Sequence, residues 1–413
     1  MRILQLSASD LCGGANRAAF RLHTALIKSG VDSKMLVKSK HSSDPHTYAA
    51  SLCDRGFPFW GKGRIDMVPR FLLNPRCPMF SIGWQGFDLN RILKTFKPDL
   101  VHLHWINGGV VSVRSIRKLV IPVVWTFHDM WAFTGGCHYA GPCRGYESTC
   151  ASCPQIKPIP VLRRLVSHCL ESKHARSEGQ RLAAVAPSQW MKQMAADSKV
   201  FGESRVQVIP NCCDKNIFSS DRRSAGRAKL GLEKDTFAYL FLNADQQRKG
   251  ALHASDILDR LSSGFPNQKK RFLFLGGFPR GLTAGGDVFL LRPTSNQEEV
   301  AEIQAAADLF ILPSLEDNLP NVVAEALSCG TPVAAFPTGG IPEMIIHGFN
   351  GLISPQSTAD SLASTIIEHL VSLTTPRSEI GAMAHSAYSE DLVASRHRQF
   401  YEETLIEWHG RNI

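Results

Sequence analysis

No run of apolar residues in this 413-residue sequence approaches the roughly 18–20 that a bilayer-spanning helix requires. The opening residues, MRILQLSASD, lead straight into a short apolar strand and lack the charged leader and apolar core of a signal peptide. We therefore expect a protein that stays in the cytoplasm. Low-complexity tracts are missing too, and 20% charged against 44% apolar residues is the balance of an ordinary globular chain. With no secretory signal, the eleven cysteines argue against a disulfide framework and leave buried thiols or metal ligands as readings. The formal net charge of +9 suits nucleic acid, nucleotide phosphates or an acidic membrane face. No aromatic-basic nucleic-acid motif accompanies that charge, so we expect no nucleic acid partner.

What is present is a repeating pattern. Apolar runs recur as RILQL, DLVHLHW, IPVVWTF and RLAAVAP in the first half, then as FAYLFLN, RFLFLGG, DLFILPS and TPVAAF in the second. Their continuous hydrophobicity fits strands covered on both faces, as in a parallel sheet. Helical spacing lies between them. After Gly13 and Gly14, residues Ala18, Ala19, Leu22 and Leu26 form an apolar stripe, with Arg17, Arg21 and Lys28 expected to point elsewhere and Gly30 to end the helix. The length exceeds one ordinary domain, and the halves part near VQVIPNCCDKNIF. The expected fold is α/β, with doubly wound Rossmann-like domains over 1–208 and 209–385 and a C-terminal helical segment, 386–413, packing back on the first domain.

One stretch demands a chemical reason. PSLEDNLPNVVAEALSCGTPVAAF, residues 313–336, reads as a strand end, an acidic loop, a helix and a new buried strand. Val322, Val323, Ala326 and Leu327 already supply the apolar contacts such a helix needs. Glu325 sits among them, eight residues after Asp317, and a carboxylate placed there calls for a hydroxyl or cation partner. The other informative residues also fall at strand ends, where ligands bind in doubly wound sheets.

In order along the chain these pieces are GGANRAAFRLHTALIKSG, WTFHDMWAFTGGCHY, VAPSQW, VIPNCCD, RKG, ADLFILPSLEDNLPNVVAEALSCGTPVAAF and GGIPEMIIHGFNGLI. The set resembles the retaining glycosyltransferases of family 4 type (glycosyl transferases group 1), which have the two-domain GT-B fold, and within them the bacterial exopolysaccharide and colanic-acid-type enzymes. The resemblance covers nearly the whole chain. It implies a hexosyltransferase using a UDP- or GDP-sugar donor and a polysaccharide or lipid-linked glycan acceptor, acting in the cytoplasm or peripherally on the inner membrane face.

By that resemblance Glu325 binds the nucleotide ribose and Asp317 lies near the hydroxyls of the donor sugar, where the family usually has Glu. A sugar nucleotide leaves as a diphosphate whose charge grows as the glycosidic bond breaks, so fixed positive groups are needed there. Lys249 is the clearest candidate. The family pairs it with an arginine six residues earlier, where this chain has Asn243, and Arg248 is a candidate substitute. Backbone amides around Asn318, Leu319, Pro320 and Asn321, the loop at 339–343, and the turn at Gly13 and Gly14 are further donor-binding candidates. His128, matching the family's histidine, is expected to contact donor sugar or acceptor, while His102 and His104 read as structural. No covalent nucleophile is assigned, and no catalytic metal is expected. A rival reading keeps the fold as a binding subunit without turnover, for which Asn243 and Asp317 are the supporting departures.

The run CHYAGPCRGYESTCASC sets Cys137, Cys143, Cys150 and Cys153 close together. Four thiolates surround Zn2+ tetrahedrally, and a C-x2-C pair is common in structural zinc sites. A structural zinc, unliganded reduced thiols and paired disulfides all remain open, with His138 as an alternative ligand. Two basic segments, 55–73 and 161–176, could rest on anionic lipid headgroups or be ordinary solvated faces.

Overall fold

The computed structural model describes residues 1–50, 66, 68, 70–74, 79–179, 182–243, 246–279 and 281–411. Of the basic segment 55–73, positions 55–65, 67 and 69 therefore lie outside the described residues. The chain divides into two compact units: residues 1–211 with 393–413, and residues 212–392.

In the first unit the strands are β1 (Arg2–Ser9), β2 (Asp32–Ser39), β3 (Thr47–Ala49), β4 (Leu100–Leu103), β5 (Val123–Thr126), β6 (Ala183–Ala186) and β7 (Arg205–Val208). They form one parallel sheet in the order β3-β2-β1-β4-β5-β6-β7. Order reverses between β1 and β4, and the carboxyl ends at such a switch point are where open α/β sheets bind ligands. The sheet's two faces differ because successive side chains alternate. Leu4, Leu6, Val101, Leu103, Val123 and Trp125 join one apolar cluster. Gln5, Ser7, His102 and Thr126, buried between them in sequence, make the opposite face polar.

The helix Gly14–Lys28 follows β1 and buries Ala18, Ala19, Leu22 and Leu26 as expected. It ends in a Schellman arrangement, with Val31 N–H donating to Leu26 O and Gly30 N–H to Ile27 O. Arg21, expected to face away, is instead 6% exposed. Its long apolar stem lets a charged residue lie within the packed layer. Residues from Val393 on group with this unit. There Phe400 and Tyr401 are fully buried, and Arg205 pairs with Glu403 and, at 2.8 Å, with Glu407.

The second unit has β8 (Phe237–Leu242), β9 (Lys270–Leu275), β10 (Val288–Leu291), β11 (Leu309–Leu312), β12 (Val333–Ala335) and β13 (Gly351–Ile353), all parallel, in the order β10-β9-β8-β11-β12-β13. Its switch point lies between β8 and β11. Alternation again divides the strands: Leu240, Leu242, Phe310 and Leu312 join one cluster, Tyr239, Phe241, Leu309 and Ile311 the other. Both faces are dry, which is why these runs read as continuously apolar. Among the described residues no helix is long and apolar enough to cross a membrane.

The basic segment 161–176 lies in the helix Pro160–Gly179. Val166, Cys169, Leu170 and Lys173 are buried in the first unit, and Arg163 and Arg164 are exposed. Lys173 donates to the carbonyls of Trp131 (2.5 Å) and Thr134 (2.8 Å) and lies 3.7 Å over the Trp131 ring. Burial lowers this ammonium to about 8. Part of the expected surface charge is thus an internal tie for the loop after β5.

Candidate active site

The carboxyl ends of the strands in each sheet carry residues that the sequence singled out. In the second unit, Lys249 follows β8 at the end of a short 3-10 turn, Gln247–Lys249. Its Nζ lies 2.5 Å from Asp317 Oδ2, in the loop after β11. Arg248 Nη1 approaches the other oxygen, Oδ1, at 3.4 Å and donates to Glu316 O at 2.6 Å. One carboxylate thus faces two cations, and the cluster keeps one net positive charge. Burial by itself raises the Asp317 carboxyl, but Lys249 and Arg248 outweigh it and hold the group below its usual range. Burial lowers the Lys249 ammonium, with Asp317 opposing.

Backbone packing explains why the loop can hold this shape. A Cβ at Gly250, where φ is +88°, would lie 2.1 Å from Pro313 O, and one at Gly339 would lie 1.6 Å from Asp317 O. Only glycine permits either approach. Gly340 N–H also donates to Asn318 O at 2.7 Å, and Thr338 Oγ1 to Ser314 O at 2.7 Å. The loop at 339–343 therefore clamps the acidic loop. Asp317, Asn318, Leu319 and Pro320 are all buried.

Asn321 begins the helix Asn321–Ser328, with Pro320 as its N-cap, and Glu325 lies within it at 7% exposure. Asn243 stands exposed at the end of β8 in a left-handed conformation, φ +51°. It is Arg248, not Asn243, that joins Lys249 at the carboxylate. A second cation is present, supplied by a neighbouring position.

In the first unit Gly13 caps the helix Gly14–Lys28, and both glycines are exposed. The turn before them is tied down: Arg17 Nε donates to Leu11 O at 2.9 Å, and Asn16 Nδ2 to Cys12 O at 2.5 Å. Asp10 accepts from the N–H groups of Leu11, His41 and Ser42. His128 follows β5, partly exposed, with its Nε2 3.1 Å from His104 Nδ1. Burial holds its pKa down at about 4, against an opposing pull from Asp129. His128 and Asp129 line a small pocket with His104, Trp105, Asn107 and Trp131.

Sequence reading missed the support beneath that pocket. Asp129 accepts from His138 Nδ1 (2.7 Å), Trp105 Nε1 (3.0 Å) and Trp131 N (2.9 Å). His138 Nε2 meets Ser81 Oγ at 3.0 Å and Asn107 Nδ2 at 3.2 Å. Both nitrogens of His138 are engaged away from the cysteines, so it is not the spare metal ligand that the sequence suggested. His102 and His104, read as structural, are hydrogen-bonded on both ring nitrogens.

Cys137, Cys143, Cys150 and Cys153 do converge, lining one small pocket with Phe80, Tyr146 and Val166, and all four are free thiols. Burial pushes Cys150 up to about 11 and raises Cys137 and Cys153 as well. Among the described residues, however, no three His, Cys, Asp or Glu side chains are arranged to hold a metal ion. The four side chains share one pocket as thiols. The disulfide alternative is not realised.

A family model described as Glycosyltransferase Family 4 matches residues 12–216, and one described as Glycosyl transferases group 1 matches residues 239–372. The chain is 31% identical over 338 residues to a D-inositol 3-phosphate glycosyltransferase of Thermobispora bispora, covering 75% of this chain and 72% of that one. It is 22% identical over 429 residues to the putative colanic acid biosynthesis glycosyl transferase WcaC of Escherichia coli, covering 97% and 100%. Among solved structures, Anabaena HepE in complex with UDP and glucose superposes with a TM-score of 0.63 at 18% identity, covering 98% of this chain and 100% of that one, a likeness of fold. Two parallel Rossmann-like sheets in a chain so matched make it an enzyme of GT-B fold, and it belongs to the group 1, family 4 glycosyltransferases.

Proposed function

We propose that this enzyme transfers a hexose from a nucleotide sugar to a polysaccharide or lipid-linked glycan with retention of anomeric configuration. The observation that carries the reading is the net-positive Lys249–Asp317–Arg248 cluster at the carboxyl ends of β8 and β11. A departing diphosphate gains charge as the glycosidic bond breaks, and a preorganised cation there stabilises the transition state more than the ground state. Lys249 meets the diphosphate. Asp317 holds it in place, and Arg248 supplies the second charge. In the first unit, the turn at Gly13 and Gly14 is a further donor-binding candidate. His128 contacts a sugar.

UDP in HepE supports a uridine donor, and WcaC supports an exopolysaccharide-type acceptor. An acceptor on a lipid carrier places the enzyme peripherally at the inner membrane face. Incubation with a panel of UDP- and GDP-sugars, reading slow donor hydrolysis, tests the assignment. Hydrolysis of one donor is expected, and none across the panel overturns it.

Glu325 binds the ribose diol in this reading. A hydrogen bond from hydroxyl to carboxylate contributes about 1.5–3 kcal/mol, so Glu325→Ala weakens nucleotide affinity roughly 10- to 150-fold. Isothermal calorimetry with the free nucleoside diphosphate checks this, and an unchanged Kd removes Glu325 from the site.

Transfer needs no divalent metal here, and a structural zinc is assigned to the thiol pocket. Backbone N–H groups already point at three of its sulfurs: Gly145 to Cys143 (3.4 Å), Gly135 to Cys150, and Gln155 and Ile156 to Cys153. Such bonds oppose the burial that raises Cys150 and Cys153. Ligation requires the side chains to turn toward a common centre. About one zinc per chain is expected by elemental analysis, lost in Cys150→Ser/Cys153→Ser. Metal-free wild type that is folded and active overturns it.

A further inference from the structure

We infer that a buried chain of hydrogen bonds running from Asp44 to His128 fixes which ring nitrogen of His128 carries its proton, making His23, Ser33, Gln5 and His104 positioning residues. This rests on the reading that His128 meets a sugar, and it deepens that reading. The chain has five links. Asp44 Oδ2 lies 3.3 Å from His23 Nε2, and His23 Nδ1 lies 2.8 Å from Ser33 Oγ. Ser33 Oγ is 2.9 Å from Gln5 Nε2, and Gln5 Oε1 is 2.9 Å from His104 Nε2. His104 Nδ1 is 3.1 Å from His128 Nε2.

Direction follows from the inventory of donors and acceptors. A carboxylate only accepts, so a neutral His23 has its single N–H on Nε2. Its Nδ1 must then accept, and Ser33 is the donor. The Ser33 oxygen in turn accepts from the Gln5 amide N–H, which leaves the Gln5 carbonyl facing His104. His104 therefore carries its proton on Nε2 and accepts on Nδ1. The donor to that nitrogen is His128 Nε2–H. Reversing any link propagates back until a lone pair of His23 faces the Asp44 carboxylate, which is repulsive.

The fold makes the chain rigid. His23 and His104 are 0% and 3% exposed, Gln5 is 0% and Ser33 1%. Asp44 is pinned by Thr47 Oγ1 at 2.7 Å. His102 packs against His104 with ring centroids 4.1 Å apart and the rings tilted by 40°, itself held by Tyr401 Oη at 2.6 Å and Thr126 Oγ1 at 2.7 Å. The chain crosses from the helix Gly14–Lys28 through β2 and β1 to the ends of β4 and β5, using the polar face of the sheet. Its outcome is a neutral His128 whose Nδ1 is an acceptor, suited to a hydroxyl and unsuited to an anionic oxygen.

Long-range 15N–1H correlation spectra of the full chain, labelled at histidine and assigned with His128→Gln, read the tautomer directly. The Nε2–H form is expected for His128 in the wild type. Asp44→Asn, at the solvent end of the chain, and Ser33→Ala, in its middle, are each expected to lose the single-tautomer signature at His128. Asp44→Asn replaces an obligate acceptor with a group that also donates, and is the variant least exposed to a folding defect. A wild-type Nδ1–H form overturns the inference, as does an unchanged His128 signature in folded Asp44→Asn. Turnover unchanged in His128→Gln overturns the sugar contact instead and leaves the tautomer result standing.

Discussion

Replacing Lys249 by alanine is expected to lower kcat about 10²- to 10³-fold, the loss typical of one preorganised group that stabilises transition-state charge. With Lys249 gone, Arg248 and Asp317 neutralise one another, and the cluster changes from one net positive charge to none. Ground-state affinity for the nucleotide should fall by much less, because the diphosphate gains its additional charge only as the bond breaks. Steady-state kinetics beside calorimetric Kd values make the comparison. Equal or greater loss in affinity with turnover preserved contradicts the role. Asp317→Asn provides the companion measurement, since it keeps the bulk and removes the charge that holds Lys249 in place.

Acid is expected to destabilise the first unit well before its carboxylates protonate. His23, His102, His104 and His397 are buried, and burial lowers all four: His23 and His397 to about 4, the other two well below their ordinary value. In the unfolded chain each titrates near its ordinary value of about 6.5. As pH drops through that value the unfolded chain binds protons that the fold refuses, so unfolding free energy falls. The slope approaches about 1.4 kcal/mol per pH unit for each histidine. For His23 and His397 the loss levels off below about 4, where the folded protein takes up protons too. Asp10, Asp99 and Asp129 have lowered pKa values, so their contribution is lost only at more acidic pH. Urea unfolding at pH 7.5, 5.5 and 4.5, followed by tryptophan fluorescence, should show a loss of several kcal/mol by the lowest point. A flat profile across that range would show that these histidines are not held neutral.

The α/β architecture was legible because eight apolar runs, RILQL to TPVAAF, are buried on both faces or nearly so, and burial on both faces leaves an unbroken hydrophobic signature. The strands that the pattern did not announce have clear reasons. β3 and β13 are three-residue edge strands, β7 and β10 are edge strands that are only partly buried, and β2 has Asp, Ser and Lys among its residues. Spacing along the chain was enough to single out Asp317, Glu325 and Lys249, since a carboxylate amid apolar contacts and a lysine at a strand end are local facts.

Partnership was not local. Lys249 and Asp317 are 68 positions apart, and only the adjacency of β8 and β11 makes them an ion pair with Arg248 as third member. The same holds for the thiols, whose sequence density suggested ligation while backbone geometry decided only a shared pocket. It holds most of all for Gln5, Ser33, His23 and His104. Each reads alone as an ordinary polar residue, and His104 sits 99 positions from Gln5. The sequence by itself determined two α/β domains and singled out the strand ends where candidate site residues stand, because burial and alternation act residue by residue. Only the tertiary structure decided which charges meet and which way a buried proton points, because hydrogen-bond direction is a property of the whole connected chain and of the carboxylate where it ends.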